Sequence, residues 1–143
     1  MEITVSRTEG EVPVTILRLD SELDALTTDQ AQKQAELEID QGAQNLLLDM
    51  SGVPFMSSSG VRMIYALFHK LHPLSSSEED LERAKQMREG AYTAPHLKIL
   101  GPTMQVLNVM KMVGIDSYID IFDDEDEAVA AFATTTAADN RKR

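Results

Sequence analysis

The sequence predicts a small α/β domain built on a mixed, mostly parallel sheet of four to five strands with about four helices. Three observations carry that prediction. Short apolar runs rich in strand-forming residues alternate with longer segments whose apolar residues recur every three or four positions, the pattern of strands joined by crossover helices. The run Asn45-Leu46-Leu47-Leu48-Asp49 is continuously apolar between its polar ends, as a strand buried on both faces should be. A chain of 143 residues, 43% hydrophobic and 26% charged, has the material for one compact core without a staple.

The elements follow in order. Val12–Leu19 is rich in β-branched residues, and its Pro13 sits near the start, where a missing N–H does least harm. Ile3–Ser6 is a fainter strand pattern, and Glu9-Gly10-Glu11 between the two allows a hairpin. A helix from Thr27 or Thr28 carries Ala31, Ala35, Leu37 and Ile39 and stops near Gly42. After the Asn45–Asp49 strand, a second helix from Ser58 places Val61, Ile64, Tyr65, Leu67, Phe68 and Leu71 on one side.

Segment 74–94 breaks this rhythm. Ser75-Ser76-Ser77 before Glu78, Glu79 and Asp80 resembles a capping box, and Glu79 with Arg83 is an i, i+4 pair. Its apolar stripe is only Leu81, Ala84 and Met87, so it reads as a charged insertion, either a short exposed helix or a mobile loop. The core then resumes with the strand Leu97–Leu100, closed by Gly101-Pro102, and a helix Met104–Val113 stopped by Gly114. Tyr118–Phe122 is a fainter strand, and a last helix starts in the acids before Ala128, with Val129 and Phe132 on its apolar side. From Thr134 there is no large apolar residue. The domain is therefore expected over 1–133, with a flexible tail at 134–143.

Composition excludes several functions. The absence of cysteine removes disulfides, thiol catalysis and thiolate metal sites. The opening Met1-Glu2-Ile3-Thr4-Val5 lacks a basic segment before an apolar run, and no stretch approaches the roughly 20 apolar residues of a membrane span, so a cytoplasmic protein is expected. A net charge of −11 disfavours binding to nucleic acid or to anionic lipid. The histidines His69, His72 and His96 assemble no nucleophile–base–orienter set, so surface or packing roles are expected and no enzyme is. The run Asp120, Asp123, Asp124, Glu125, Asp126 and Glu127 lacks the spacing of a calcium loop and suits a helix N-terminus, so neither metal nor cofactor is expected. Met56, Met63, Met104, Met110 and Met112, at helical spacing beside leucines and valines, read as core filler, with any exposed ones available to line a partner site.

The informative stretch is 45–62. A buried strand ends at Asp49, a turn follows, and Ser57, Ser58 and Ser59 lead into an apolar helix. Serines there can cap the free N–H groups of the first turn, and the same position tolerates an anion. This segment resembles the STAS domain, shared by sulphate transporters and anti-sigma factor antagonists. In that family an apolar-Asp strand leads through Gly-Val and an aromatic into Asp-Ser-(Ser/Thr/Ala)-Gly-(Leu/Val). Here the run is Leu48-Asp49, Gly52-Val53-Pro54-Phe55-Met56, then Ser57-Ser58-Ser59-Gly60-Val61. Glu22-Leu23-Asp24 before Thr27, the strand ending at Gly101 and the Val113-Gly114-Ile115 turn are similar to further family features in the same order.

The resemblance implies a STAS-like fold and the function of an anti-sigma factor antagonist that performs no chemistry. It implies as partners an anti-sigma factor that is a histidine-kinase-like ATPase and serine kinase, and a serine phosphatase. It implies phosphorylation at Ser58, with Ser57 and Ser59 as alternatives, and a binding face of Asp24, Met56, Ser57, Ser58, Ser59, Gly60, Val61 and Arg62. Two departures stand out: Ser57 replaces the family's aspartate and Ser21 its glycine. The alternative is a non-phosphorylated STAS scaffold or regulatory subunit of a larger signalling assembly.

Overall fold

The structure, a computed structural model, describes residues 1–73 and 77–141, with side chains as far as residue 133. Five strands, β1 (Glu2–Glu9), β2 (Pro13–Asp20), β3 (Leu46–Asp49), β4 (Leu97–Leu100) and β5 (Ile121–Phe122), form one sheet in chain order. β1 pairs antiparallel with β2 through an unbroken register from Glu2 opposite Asp20 to Glu9 opposite Pro13, and the other pairings are parallel. The hairpin expected through Glu9-Gly10-Glu11 is present, and β1 is longer than its faint pattern indicated because β2 templates it along its whole length.

Helices α1 (Ala25–Asp40), α2 (Ser58–Leu71), α3 (Ser77–Arg88), α4 (Met104–Val113) and α5 (Glu125–Arg141) join and flank the strands, with a 3-10 turn at Ile115–Ser117. Parallel crossovers take one hand, so strands added in one direction keep their connecting helices on one face. That face holds the larger core. Leu17, Leu19, Leu46, Leu48, Leu97 and Ile99 meet Ala31 and Ala35 of α1, Ile64, Leu67 and Phe68 of α2, and Val106 and Met110 of α4. Among the described residues the opposite face is covered by α5, whose Ala128 and Phe132 pack on Val14, Ile16, Leu47 and Leu100. β3 is buried at every position because both cores claim it.

Two expectations need correction. α1 starts at Ala25 rather than Thr27 or Thr28, because Asp24 and not a threonine is its cap. Met104 and Met112 are not core filler: they are 71% and 84% exposed, while Met56, Met63 and Met110 are buried. The expected insertion takes the first of its two expected forms, an exposed helix, α3, which brings the helices to five beside the four or so expected.

No residue of α3 is buried, and it is held by Arg83 and Met87. The Arg83 guanidinium donates to the carbonyl of His72 at 2.6 Å and lies 5.1 Å from the Phe68 ring centre. Leu74, Ser75 and Ser76 of the expected capping box lie outside the described residues. The expected tail is described only in backbone to Arg141, within α5; its side chains and residues 142–143 lie outside the described set.

Candidate functional site at the start of the second helix

Parallel strands bring the N-termini of α1, α2 and α4 to the same edge of the sheet, since each helix follows the carboxyl end of a strand. Each is capped by its own side chain. Asp24 accepts the N–H groups of Leu26 at 3.0 Å and Thr27 at 2.9 Å, and Thr27 Oγ1 accepts the Asp24 N–H at 2.9 Å. The N–H of Thr27 is the main cause that holds the Asp24 carboxyl below its ordinary range. Ser57 accepts from the Ser59 N–H at 3.2 Å, and Thr103 caps α4 toward Val106. Such a cap contributes about 1 kcal/mol.

The turn between β3 and α2 is stitched to its neighbours. Asp49 Oδ1 accepts Ser51 Oγ–H at 2.7 Å and Ser51 N–H at 3.1 Å, closing the end of β3. Gly52 is required there, since a Cβ would lie 2.0 Å from Asp20 Oδ1 and 2.9 Å from the Leu19 carbonyl. A short parallel bridge joins Leu23 to Met56: Leu23 N–H donates to Phe55 O at 2.8 Å and Ser57 N–H to Leu23 O at 2.9 Å. From α4, Gln105 Oε1 accepts the Met56 N–H at 3.2 Å, and Thr103 Oγ1 donates to Val53 O at 3.0 Å. The serine turn is therefore fixed by both neighbouring helix starts.

Among the sequence-predicted residues, Met56, Gly60 and Val61 are buried and support the turn from beneath. Ser58 and Arg62 are exposed, and Asp24, Ser57 and Ser59 are half-buried. Among the described residues the Ser58 hydroxyl has no protein partner, whereas Ser59 Oγ accepts from Arg62 Nη2 at 3.2 Å. Sequence reasoning missed the apolar surface beside them. Leu26 at the start of α1, Phe55 before α2 and Met104 at the start of α4 are 74%, 46% and 71% exposed on this edge. A phenylalanine in a polar turn was the available signal for Phe55; Gln105 had none.

Residues 5–75 match the family model of the STAS domain. The chain carries a STAS domain. A search of the curated proteins finds no match. Among solved structures, an anti-sigma factor antagonist from Mycobacterium paratuberculosis aligns at 16% identity and a TM-score of 0.67, covering 92% of this chain and 95% of that one. The anti-sigma factor antagonist SpoIIAA in its unphosphorylated form aligns at 20% and 0.64, covering 90% and 93%. The phosphorylated form of the Bacillus cell fate determinant SpoIIAA aligns at 19% and 0.60, covering 90% and 97%. At these identities the likeness is one of fold, and it extends the STAS architecture past residue 75 through β4, α4, β5 and α5.

Proposed function

We propose that this STAS chain is an anti-sigma factor antagonist whose α1–α2–α4 edge binds an anti-sigma factor of the histidine-kinase-like ATPase type. In this reading the partner phosphorylates Ser58, the phosphate ends binding, and a serine phosphatase restores it. The chain itself performs no chemistry and works in the cytoplasm. Among the described residues no helix is long and apolar enough to cross a membrane.

The observation that carries the proposal is the setting of Ser58: an exposed, unpartnered hydroxyl in the first turn of α2, beside exposed Phe55, Leu26 and Met104. A phosphate there adds about −1.5 to −2 charges at a helix start, where unpaired N–H groups and the dipole favour it. The same charge is costly once an apolar partner surface covers it, so binding is lost without refolding. SpoIIAA, a structural neighbour, exists in phosphorylated and unphosphorylated forms, which supports transferring the switch. Asp24, Ser57, Ser59 and Arg62 complete the binding face, over the support of Met56, Gly60 and Val61.

The test is a pull-down from the native host with wild type, Ser58→Ala and Ser58→Asp, bound proteins being identified by mass spectrometry. The proposal expects a histidine-kinase-like ATPase on wild type and Ser58→Ala and its loss on Ser58→Asp. Phosphosite mapping then separates Ser58 from Ser57 and Ser59. Identical partners on all three baits, or no such ATPase on any, would replace the switch with the scaffold reading, which the serine in place of the family's aspartate at Ser57 favours.

A further inference from the structure

β1 is an edge strand, and the hydrogen-bond pattern determines which of its groups face outward. Thr15 N–H donates to Asn45 O at 2.9 Å, so the odd-numbered residues of β2 direct their backbone groups to β3. The even-numbered residues then face β1, and in the β1–β2 register they bond Glu2, Thr4, Ser6 and Thr8. The N–H and C=O groups of Ile3, Val5 and Arg7 therefore point away from the sheet.

The usual protections are missing along this stretch. β1 is eight residues long, has no proline, and keeps its register without a bulge; charges stand only at Glu2, Arg7 and Glu9. On the α1 side an open groove of about 410 Å³ adjoins it, lined by Met1, Ile3 and Leu37 and by the polar Gln30, Lys33 and Gln34, with Met1 and Leu37 37% and 48% exposed. The far edge of the sheet, β5, has two residues and offers no comparable template.

We propose that β1 pairs antiparallel with β1 of a second copy of this chain, about a twofold axis at Val5, to make one ten-stranded sheet. Outward groups lie on odd residues, so bonded pairs must join odd to odd, and this parity also keeps both α1 helices on the same face. Among registers of that parity, centring on Val5 pairs almost the whole strand. It sets Val5 on Val5, Ile3 opposite Arg7 and Thr4 opposite Ser6, with no like charges facing. Centring on Ser6 instead would bring the two Arg7 side chains to diagonal positions. The sequence of β1 is thus compatible in charge and face with itself.

The experiment is light scattering coupled to gel filtration across a concentration series. The protomer is 15.8 kDa, so the dimer reads 2 × 15.8 = 31.6 kDa. Each copy carries −11, so the dimer fraction should rise with salt as repulsion is screened. Val5→Pro removes an outward N–H and no bond to β2, and should leave a monomer. Thr4→Glu, at an exposed position directly opposite Arg18 in the hairpin, serves as a second variant compatible with the fold; it brings two like charges to diagonal positions across the seam and should also weaken the dimer. The chain has no cysteine, so register can be read directly. A mixture of Thr4→Cys and Ser6→Cys should form a disulfide-linked pair under mild oxidation, and Thr4→Cys alone should not. A monomer at every concentration and salt overturns the proposal. So does a dimer indifferent to Thr4→Glu, a mixture that fails to cross-link, or protection of β1 amides only when a foreign protein is added.

Discussion

Acidification should destabilise this fold through one buried imidazole. His72, 6% exposed at the end of α2, accepts the His96 N–H on Nε2 at 3.1 Å. Its Nδ1 therefore carries the proton and donates to Phe68 O at 2.7 Å. Burial pushes its pKa down from 6.5 to about 4, and His96, Arg83 and Lys98 around it add unfavourable positive charge. Between those values the unfolded chain holds a proton that the folded chain does not. Stability is therefore whole above pH 6.5 and lost as pH falls toward 4. At about 1.4 kcal/mol per unit the loss reaches roughly 3 kcal/mol, a large part of a typical total of about 5–15. Urea denaturation of wild type and His72→Asn at intervals from pH 7.5 to 4 measures it. Asparagine keeps a donor for Phe68 O and cannot be protonated, so the carboxylates common to both proteins cancel in the difference. The difference between the two stabilities should change by about 3 kcal/mol across that window. Parallel pH profiles would refute the reasoning.

Two other outcomes follow from packing. Gly60→Ala places a Cβ 2.3 Å from Met56 Cγ, itself buried, and should cost about 1–3 kcal/mol in thermal or urea unfolding, with amide shifts concentrated at Leu23, Met56 and Gln105. Arg83→Ala removes both the bond to His72 O and the contact with Phe68, and should accelerate hydrogen exchange in α3 by at least about tenfold while the α2 core keeps its protection.

The fold was legible where apolar pattern and chain stop coincide. β3, β4 and α4 end where an acid, Gly101 and Gly114 say they should, the last with φ of 82° at its left-handed C-cap. Surface or packing roles for the histidines were legible too: His69 is exposed, His72 and His96 tie the end of α2 to β4, and His96 Nδ1 meets Asn45 Oδ1 at 2.9 Å. What stayed hidden depends on partners distant in sequence. Asp24 as a cap competes with two adjacent threonines, and only the geometry of the Leu23–Met56 bridge decides it. Met104 and Met112 share the spacing of Met110 but sit on the side of α4 that no element covers. Within the acidic run, Asp124 caps α5 by accepting the Glu127 N–H at 3.0 Å, as dipole reasoning anticipates. Asp120 does something else, reaching Lys98 Nζ at 3.2 Å, and a lysine wholly buried in a central strand announces no such need in sequence.

The spatial order of the strands equals their order in the chain. Each strand therefore needs only the one before it as a template, and the sheet can grow in the direction in which a ribosome delivers it. The longest closure in that series is β3 to β4, from Leu46 to its partner Leu97, because α2 and the α3 insertion lie between. Closure entropy grows only logarithmically, about 0.6 kcal/mol per doubling of length, so lengthening that connection slows assembly little. The late arrival is α5, and until it docks, Val14, Ile16, Leu47 and Leu100 face water. A chain released without residues beyond 124 would present that apolar sheet face to chaperones, while the serine turn at the carboxyl end of β3 already stood complete.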